Sequence, residues 1–166
     1  ATRPHFRNRT IIQNAHIVVD VHEAASRWQK AMNIGPFFIS EDIKLRNVTY
    51  RGQPAELSLS IASVMSGNLQ IELIQQLNKG PSAYRDVVPE GEEGFHHVCF
   101  FIDNYDEELA RYEDMGCVAA TTGEVARSSM RFCYIDTRSI YGSMIELVDL
   151  PGGPSWEYIT KAARDW

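Results

Sequence analysis

The sequence predicts an α+β fold: two βαβββ modules whose sheets pair into one curved mixed sheet with a cleft, the helices lying outside. Three observations carry that expectation. The order strand, helix, three strands occurs twice along the chain. The first strands of the two copies, "IIQNAHIVVD" (11–20) and "GFHHVCFFIDN" (94–104), are apolar runs that carry ligand-type side chains near their start and stop at Asp or Asn. The last strands, "LQIELIQ" (69–75) and "SMIELVD" (143–149), each set one Glu in the middle of an otherwise apolar strand. Four strands and one helix cannot cover their own sheet, so two such halves are expected to bury a common face and leave a cleft between them.

Each element has its own signal. Residues 1–9 are polar and expected to be loosely held. Residues 11–19 form a near-continuous apolar run rich in β-branched side chains, which reads as a strand covered on both faces. Asp20 can cap the helix that follows. In "VHEAASRWQKAM", Val21, Ala24, Ala25, Trp28 and Met32 fall at helical spacing, and "NIGP" ends the run, since Pro36 cannot continue a helical ladder. Apolar stretches at 37–43, 55–64 and 69–74, separated by "RGQP" and "SGN", read as three strands.

The segment "QQLNKGPSAYRDVVPEGEEG" is a long polar connection without periodicity, and it is the one module boundary the sequence offers. After it the order repeats. A strand spans 95–102, with Asp103 or Asn104 as cap. Tyr105, Leu109, Tyr112 and Met115 make a helical stripe ended by Gly116. Strands are expected at 117–121, 130–135 and 144–148. A short terminal helix should place Trp156, Ile159 and Ala163 on one face. The expected organisation is an N-terminal module at 10–77, a C-terminal module at 94–150 and a helical tail at 151–166, within one globular domain.

Composition limits the function classes. A chain of 166 residues with 44% hydrophobic and 23% charged residues is an ordinary globular domain. A formal net charge of −6, with the sixteen Lys and Arg scattered, argues against a nucleic-acid partner. Cys99, Cys117 and Cys133 show no CxxC spacing, and an odd count cannot be fully paired, which fits a reducing compartment. No stretch approaches the ~20 apolar residues of a membrane span. The N-terminal residues carry no apolar core of a secretory signal. A cytoplasmic location and no membrane partner are expected.

The chemistry lies in the repeated Glu. A buried ionised carboxylate costs several kcal/mol unless it is paired or bound to a metal. An isolated strand Glu is more often on a solvent face. Two of them, Glu72 and Glu146, in the same Ile-Glu-Leu context at the same place in a repeat, are harder to read that way. His97 opens the strand run whose module ends with Glu146. Two carboxylates and an imidazole facing one cleft suit a hard-to-borderline divalent ion.

"FHHVCFFIDNYDEELARYEDMG" together with "SMIELVD" resembles the second module of the vicinal-oxygen-chelate superfamily, which includes glyoxalase I, methylmalonyl-CoA epimerase, extradiol dioxygenases and bleomycin-binding proteins. "GNLQIELIQQLNKGPSAYRDVVPEGEEGFHHVCF" is similar to the epimerase and its glyoxalase-like relatives, with an "IEL" strand, a polar loop and a "GxHH" strand in succession. The resemblance covers residues 11–150, more specifically in the second module than in the first. It implies paired βαβββ modules, a metal-binding cleft, and one ligand from each first and last strand.

Two alignments of the halves compete for the ligand on the first strand. Setting His16 on His97 also matches Gly35 to Gly116, but places Asp20 opposite mid-strand Phe101. Setting Gln13 on His97 brings Asp20 to Asn104, Ala25 to Leu109 and Trp28 to Tyr112, so cap and helix stripe agree together. Residues 13 and 16 differ by an odd number and point to opposite faces of a regular strand. Gln13 is therefore preferred, with His16 facing the helix layer. Some glyoxalases I use glutamine at this position, whereas the epimerases more often carry histidine.

The resemblance thus implies a metal set of Gln13, Glu72, His97 and Glu146 around one divalent ion (Zn, Ni, Co, Mn or Mg). A bound ion with two free neighbouring positions can chelate adjacent substrate oxygens and ease loss of a proton beside a carbonyl. Glyoxalase I points to Glu146 as the base and Glu72 as its partner. The expected enzyme is a metal-dependent isomerase, epimerase or glyoxalase-type lyase acting on a small-molecule acyl thioester or 2-oxo compound. A metal-free binder of the bleomycin-resistance type, an extradiol-type dioxygenase and a purely structural domain are the rivals. The dioxygenase would want two His and one carboxylate. Arg46, Arg51, Arg127 and Arg131 are available to meet an anionic carrier. His96 should point away from His97 and takes no role, while Cys99 shares the parity of His97. An exposed sheet edge from each half and the segment 156–166 point to a homodimer.

Overall fold

Local signals become elements with definable ends in the computed structural model, which describes residues 10–149 and 154–166. Strand β1 (Gln13–Ile17) buries alternate residues. Helix α1 (Val21–Met32) begins where the Asp20 carboxylate accepts from the His22 and Glu23 backbone N–H groups, at 2.9 and 3.0 Å. It buries Val21, Ala24 and Ala25. Asn33, in the left-handed region at φ 54°, ends it before Pro36 is reached, its N–H donating to the Gln29 carbonyl.

The first module then holds more strands than its sequence suggests. After β2 (Phe38–Ile43) come β3 (Leu45–Tyr50) and the two-residue β4 (Gln53–Pro54), then β5 (Leu59–Ser66) and β6 (Leu69–Gln76). The polar connection is not structureless: helix α2 (Ala83–Val87) starts at Ser82, whose hydroxyl accepts from the Arg85 N–H. The second module comprises β7 (Gly94–Phe101), α3 (Tyr105–Asp114), β8 (Ala119–Val125), β9 (Arg131–Ile135), the short α4 (Arg138–Tyr141) and β10 (Met144–Val148). Helix α5 (Pro154–Asp165) follows. The expected stripe of Trp156 and Ile159 on that helix, and the expectation for residues 1–9, lie outside the described residues.

Among the described residues ten strands form one mixed sheet in the order β2-β5-β6-β1-β7-β10-β9-β8-β3-β4. The fold is α+β. Each module contributes its first strand to the centre, where β1 and β7 run antiparallel, and each first strand pairs in parallel with the last strand of its own module. The repeat is visible in the register. Gln13 sits opposite Cys99 and Ala15 opposite His97, so residues 13 and 15 exchange roles with 97 and 99. Likewise Ala15 pairs with Glu72 as Cys99 pairs with Glu146.

Strands β2 and β3 lie toward opposite ends of this order, yet only Lys44 separates them. Consecutive Cα atoms are about 3.8 Å apart, so the two flanks of the sheet must curl round until they nearly meet. The sheet is close to a barrel. The arm β3–β4 leaves the first module and pairs along β8 of the second, covering the edge that the homodimer argument took as exposed. Helix α1 packs Ala24 and Ala25 on Ala62, Val64 and Leu73 of the first module. Helix α3 packs Tyr105 and Tyr112 near Cys133, Ile135 and Leu147 of the second. A third cluster, including Ile17, Ile74, Tyr84, Phe132, Tyr134 and Met144, fills the inside of the curl. Among the described residues no helix is long and apolar enough to cross a membrane.

Candidate active site

Four central strands carry polar side chains into the barrel. Gln13 of β1 places its amide nitrogen 2.6 Å from Gln70 Oε1 and 3.1 Å from Glu72 Oε2, both on β6. The Gln13 NH₂ thus faces β6, and its Oε1 faces β7. There it meets His97 Nε2 at 3.2 Å. His97 Nε2 in turn lies 4.0 Å from Glu146 Oε1 on β10. Gln13, His97 and Glu146 are buried, and Glu72 is half-buried at the cavity wall. His16 is turned the other way, its ring 4.6 Å from that of Trp28 on α1 and 5.3 Å from Phe95.

His96 departs from the alternation of a regular strand. Strand β7 carries a β-bulge: Ala15 pairs with His97 and His16 with Phe95, leaving His96 unpaired in the register. A bulge sets two residues against one and can bring both side chains to one side. The His96 ring accordingly reaches His97, Nδ1 to Nδ1 at 2.8 Å, and its Nε2 lies 2.8 Å from the Ala83 carbonyl of α2. The expectation that His96 points away from His97 with no part in the site is corrected by that bulge.

This chain of contacts has a shortage of protons. The Ala83 carbonyl at one end and Gln13 Oε1 at the other can only accept. Between them lie three contacts: 2.8 Å to His96 Nε2, 2.8 Å between the two Nδ1 atoms, and 3.2 Å from His97 Nε2 to Gln13. Two neutral imidazoles supply one N–H each. Burial holds both rings neutral, lowering His96 to about 4 and keeping His97 well below 6.5, with the neighbouring His96 and His16 adding to the latter. The two shorter contacts take the two protons. His97 Nε2 is then left as a bare lone pair facing the Gln13 oxygen and the Glu146 carboxylate.

The carboxylates are equally short of positive charge. Burial first, and the charge of Glu146 second, raise Glu72 well above the usual carboxylate range, against the Gln13 hydrogen bond. Burial pushes Glu146 up to about 7, while hydrogen bonds from Tyr134 and Cys99 pull it back. Tyr134 lies across from Glu146 in the β9–β10 register, and its hydroxyl is 2.7 Å from that of Tyr84. Tyr84, fully buried, comes from the short helix of the polar connection.

These groups line a cavity of ≈ 300 Å³ inside the barrel, and no Lys or Arg stands among its described lining residues. The arginines are engaged outside it. Arg46 contacts Ser129 and Glu124, Arg51 joins Asp86 and Asp136, and Arg131 joins Asp106 and Asp149. Arg127 is exposed.

The donor set fits a divalent cation. It offers an imidazole lone pair, an amide oxygen and two carboxylates with no protein cation among them. Atoms bound to one ion at about 2.0–2.3 Å stand roughly 3–4.5 Å from one another; the 3.2 and 4.0 Å separations around His97 Nε2 fall in that interval. Among the described residues no three His, Cys, Asp or Glu side chains are grouped so as to hold a metal ion by themselves.

Tyr84, Tyr134, His96 and Gln70 belong to the site without having been singled out from the sequence. Gln70 shares strand parity with Glu72, a signal that was present. Tyr134 requires the β9–β10 register, and Tyr84 requires the fold of the connection.

Comparison with known proteins agrees with this architecture. A hypothetical protein from Bacillus halodurans superposes with a TM-score of 0.61 at 15% identity, covering 88% of this chain and 97% of that one. Methylmalonyl-CoA epimerase from Mycobacterium tuberculosis gives 0.54 at 14% identity, covering 86% of this chain and 89% of its own. A Streptomyces coelicolor methylmalonyl-CoA epimerase variant in complex with 2-nitronate-propionyl-CoA gives 0.52 at 14%, covering 86% and 97%. At such identity the likeness is one of fold. No curated protein matches the chain in sequence. Residues 13–134 match the sequence profile described as the Glyoxalase/Bleomycin resistance protein/Dioxygenase superfamily, and with most of its length so matched the chain belongs to that superfamily.

Proposed function

We propose that the protein is a metal-dependent enzyme that removes a proton next to a carbonyl, as an epimerase, isomerase or glyoxalase-type lyase. The observation that carries the reading is His97 Nε2 set 3.2 Å from Gln13 Oε1 and 4.0 Å from Glu146 Oε1, beside a cavity with no Lys or Arg among its described lining residues. Gln13, Glu72, His97 and Glu146 would hold one divalent ion, Zn, Ni, Co, Mn or Mg. When bound, such an ion supplies the positive charge that polarises a substrate carbonyl and acidifies the neighbouring C–H.

The chain's own groups do the proton work. Glu146, lifted to about 7, is matched to accept a proton from carbon near neutral pH and return it. The pair Tyr84–Tyr134 orients its carboxylate. Glu72, on the far strand, is suited to the opposite face of the same carbon. The largely apolar cavity excludes water from the exchange. Acyl thioesters and 2-oxo compounds are the substrate classes with such a proton. Three free, buried cysteines suit a cytoplasmic setting, and a homodimer completes the reading.

Elemental analysis of the purified protein, combined with deuterium exchange into a panel of acyl thioesters and 2-oxo compounds, tests it. One equivalent of divalent metal with exchange into at least one compound is expected. Absence of both, with tight binding of small apolar molecules, would make the protein a metal-free sequestering member of the superfamily.

A further inference from the structure

Beyond the polar end, the barrel cavity is walled by Ile43, Leu45, Ile61, Phe101, Phe132 and Val148. Apart from Glu72 and Glu146, none of its described lining residues is charged. Ile43 and Leu45 flank Lys44, the residue at which the two ends of the sheet meet, so they close the cavity from the side. Phe132 packs so closely on Gly123 of β8 that a Cβ there would lie 2.8 Å from the ring. At ≈ 300 Å³ the space stands at the small end of ligand pockets.

A charged group placed among these side chains would lose its hydration and meet no counter-ion. Of the four arginines available to an anionic carrier, Arg46, Arg51 and Arg131 are paired with acids or a hydroxyl elsewhere, and Arg127 is exposed outside the cavity lining. From this, and resting on the proposed metal site, we infer that the substrate is a free small molecule with two neighbouring oxygens at one end and an uncharged aryl or branched-alkyl tail. The oxygens belong at the Glu72–Glu146 end and the tail fills the space between Ile61 and Phe132. Phosphates or carboxylates would find no Lys or Arg among the described residues lining this cavity.

Calorimetric titration with 1-phenylpropane-1,2-dione, butane-2,3-dione and propionyl-CoA tests the inference, run on protein both loaded with cobalt and stripped of metal. The phenyl dione should bind at least about tenfold tighter than butanedione in both forms, because tail burial does not require the ion. Met130→Arg, at the partly exposed rim of the cavity, should weaken the phenyl dione about tenfold and improve binding of its para-carboxylate derivative. Equal affinity for the two diones, or propionyl-CoA binding tighter than the phenyl dione, overturns the inference. Failure of the protein to take up cobalt while the tail preference persists would instead count against the metal-dependent reading and leave the cavity assignment standing.

Discussion

His96 Nδ1 and His97 Nδ1 lie 2.8 Å apart, two adjacent residues of one strand brought side by side by a β-bulge. Only one of the two nitrogens can carry the shared proton. Because His96 Nε2 is committed to the Ala83 carbonyl, the proton sits on His97 Nδ1, and the lone pair of His97 Nε2 is turned toward Gln13 and Glu146. A main-chain carbonyl of α2 thereby sets the tautomer of a side chain on the far side of His96.

His96 should therefore tune metal affinity without touching the metal. His96→Leu is expected to weaken cation binding by roughly 10–100-fold, measured by competition with a chelator. His96→Gln, whose amide oxygen can accept from His97 Nδ1, should recover part of it. Nitrogen-15 NMR of the metal-free protein should show His97 protonated at Nδ1 in the wild type. A His97 protonated at Nε2 would remove the basis of the lone-pair argument.

Glu146 and His97 should fail in different ways. Glu146→Gln keeps an oxygen that can coordinate, and is expected to retain part of the metal affinity while losing at least ~10²-fold in deuterium exchange. His97→Ala should lose metal first and activity as a consequence, and excess cation should partly restore it. If excess cation returns Glu146→Gln to near wild-type exchange, Glu146 is a ligand only and Glu72 becomes the candidate base.

The arm that closes the barrel is fastened electrostatically. Arg51 at its tip bridges Asp86 of α2 and Asp136, at 2.8 and 2.9 Å, and Tyr50 donates to Asp86 at 2.6 Å. The hydrogen bonds of Arg138, and then those of Arg51, hold Asp136 well below its ordinary range despite burial. A depressed folded pKa contributes stability above the unfolded value near 3.8, lost as pH falls toward the folded one. Asp136→Asn should lower the melting temperature at pH 7 by about 2–4 °C. That corresponds to about 1 kcal/mol, because the 37–40% exposed arginines are screened by solvent. The difference should shrink below about pH 3. A variant equally destabilised at pH 7 and pH 2.5 would contradict the ion-pair origin of the effect.

Regular periodicity was easy to read, and its breaks were not. The stripe of "VHEAASRWQKAM" and the run "MIELV" end in the structure where their patterns end, as α1 and β10. The shared α+β architecture followed from the repeat. The arm β3 escaped because "LRNVTY" sets Arg46 and Asn47 together on its exposed side, with Asn47 at φ 51°, and because its partner β8 lies in the other module. Helix α2 is five residues long, too short for a stripe, yet it supplies Ala83 and the buried Tyr84. His96 was misplaced because parity assumes an unbroken pleat. The misses are a non-local pairing, a helix of five residues and a single inserted residue, and none of these leaves a periodic trace.

Titration of the metal-stripped protein with cobalt at pH 7, by calorimetry in two buffers of different ionisation enthalpy, tests the metal site most directly. With burial raising Glu146 to about 7 and Glu72 well above the usual carboxylate range, cation binding should displace protons from the site. One ion per chain, bound with release of about one proton or more and lost in His97→Ala, is the expected result. Absence of saturable binding, or binding left unchanged by His97→Ala, would contradict the assignment of Gln13, Glu72, His97 and Glu146 as a metal site.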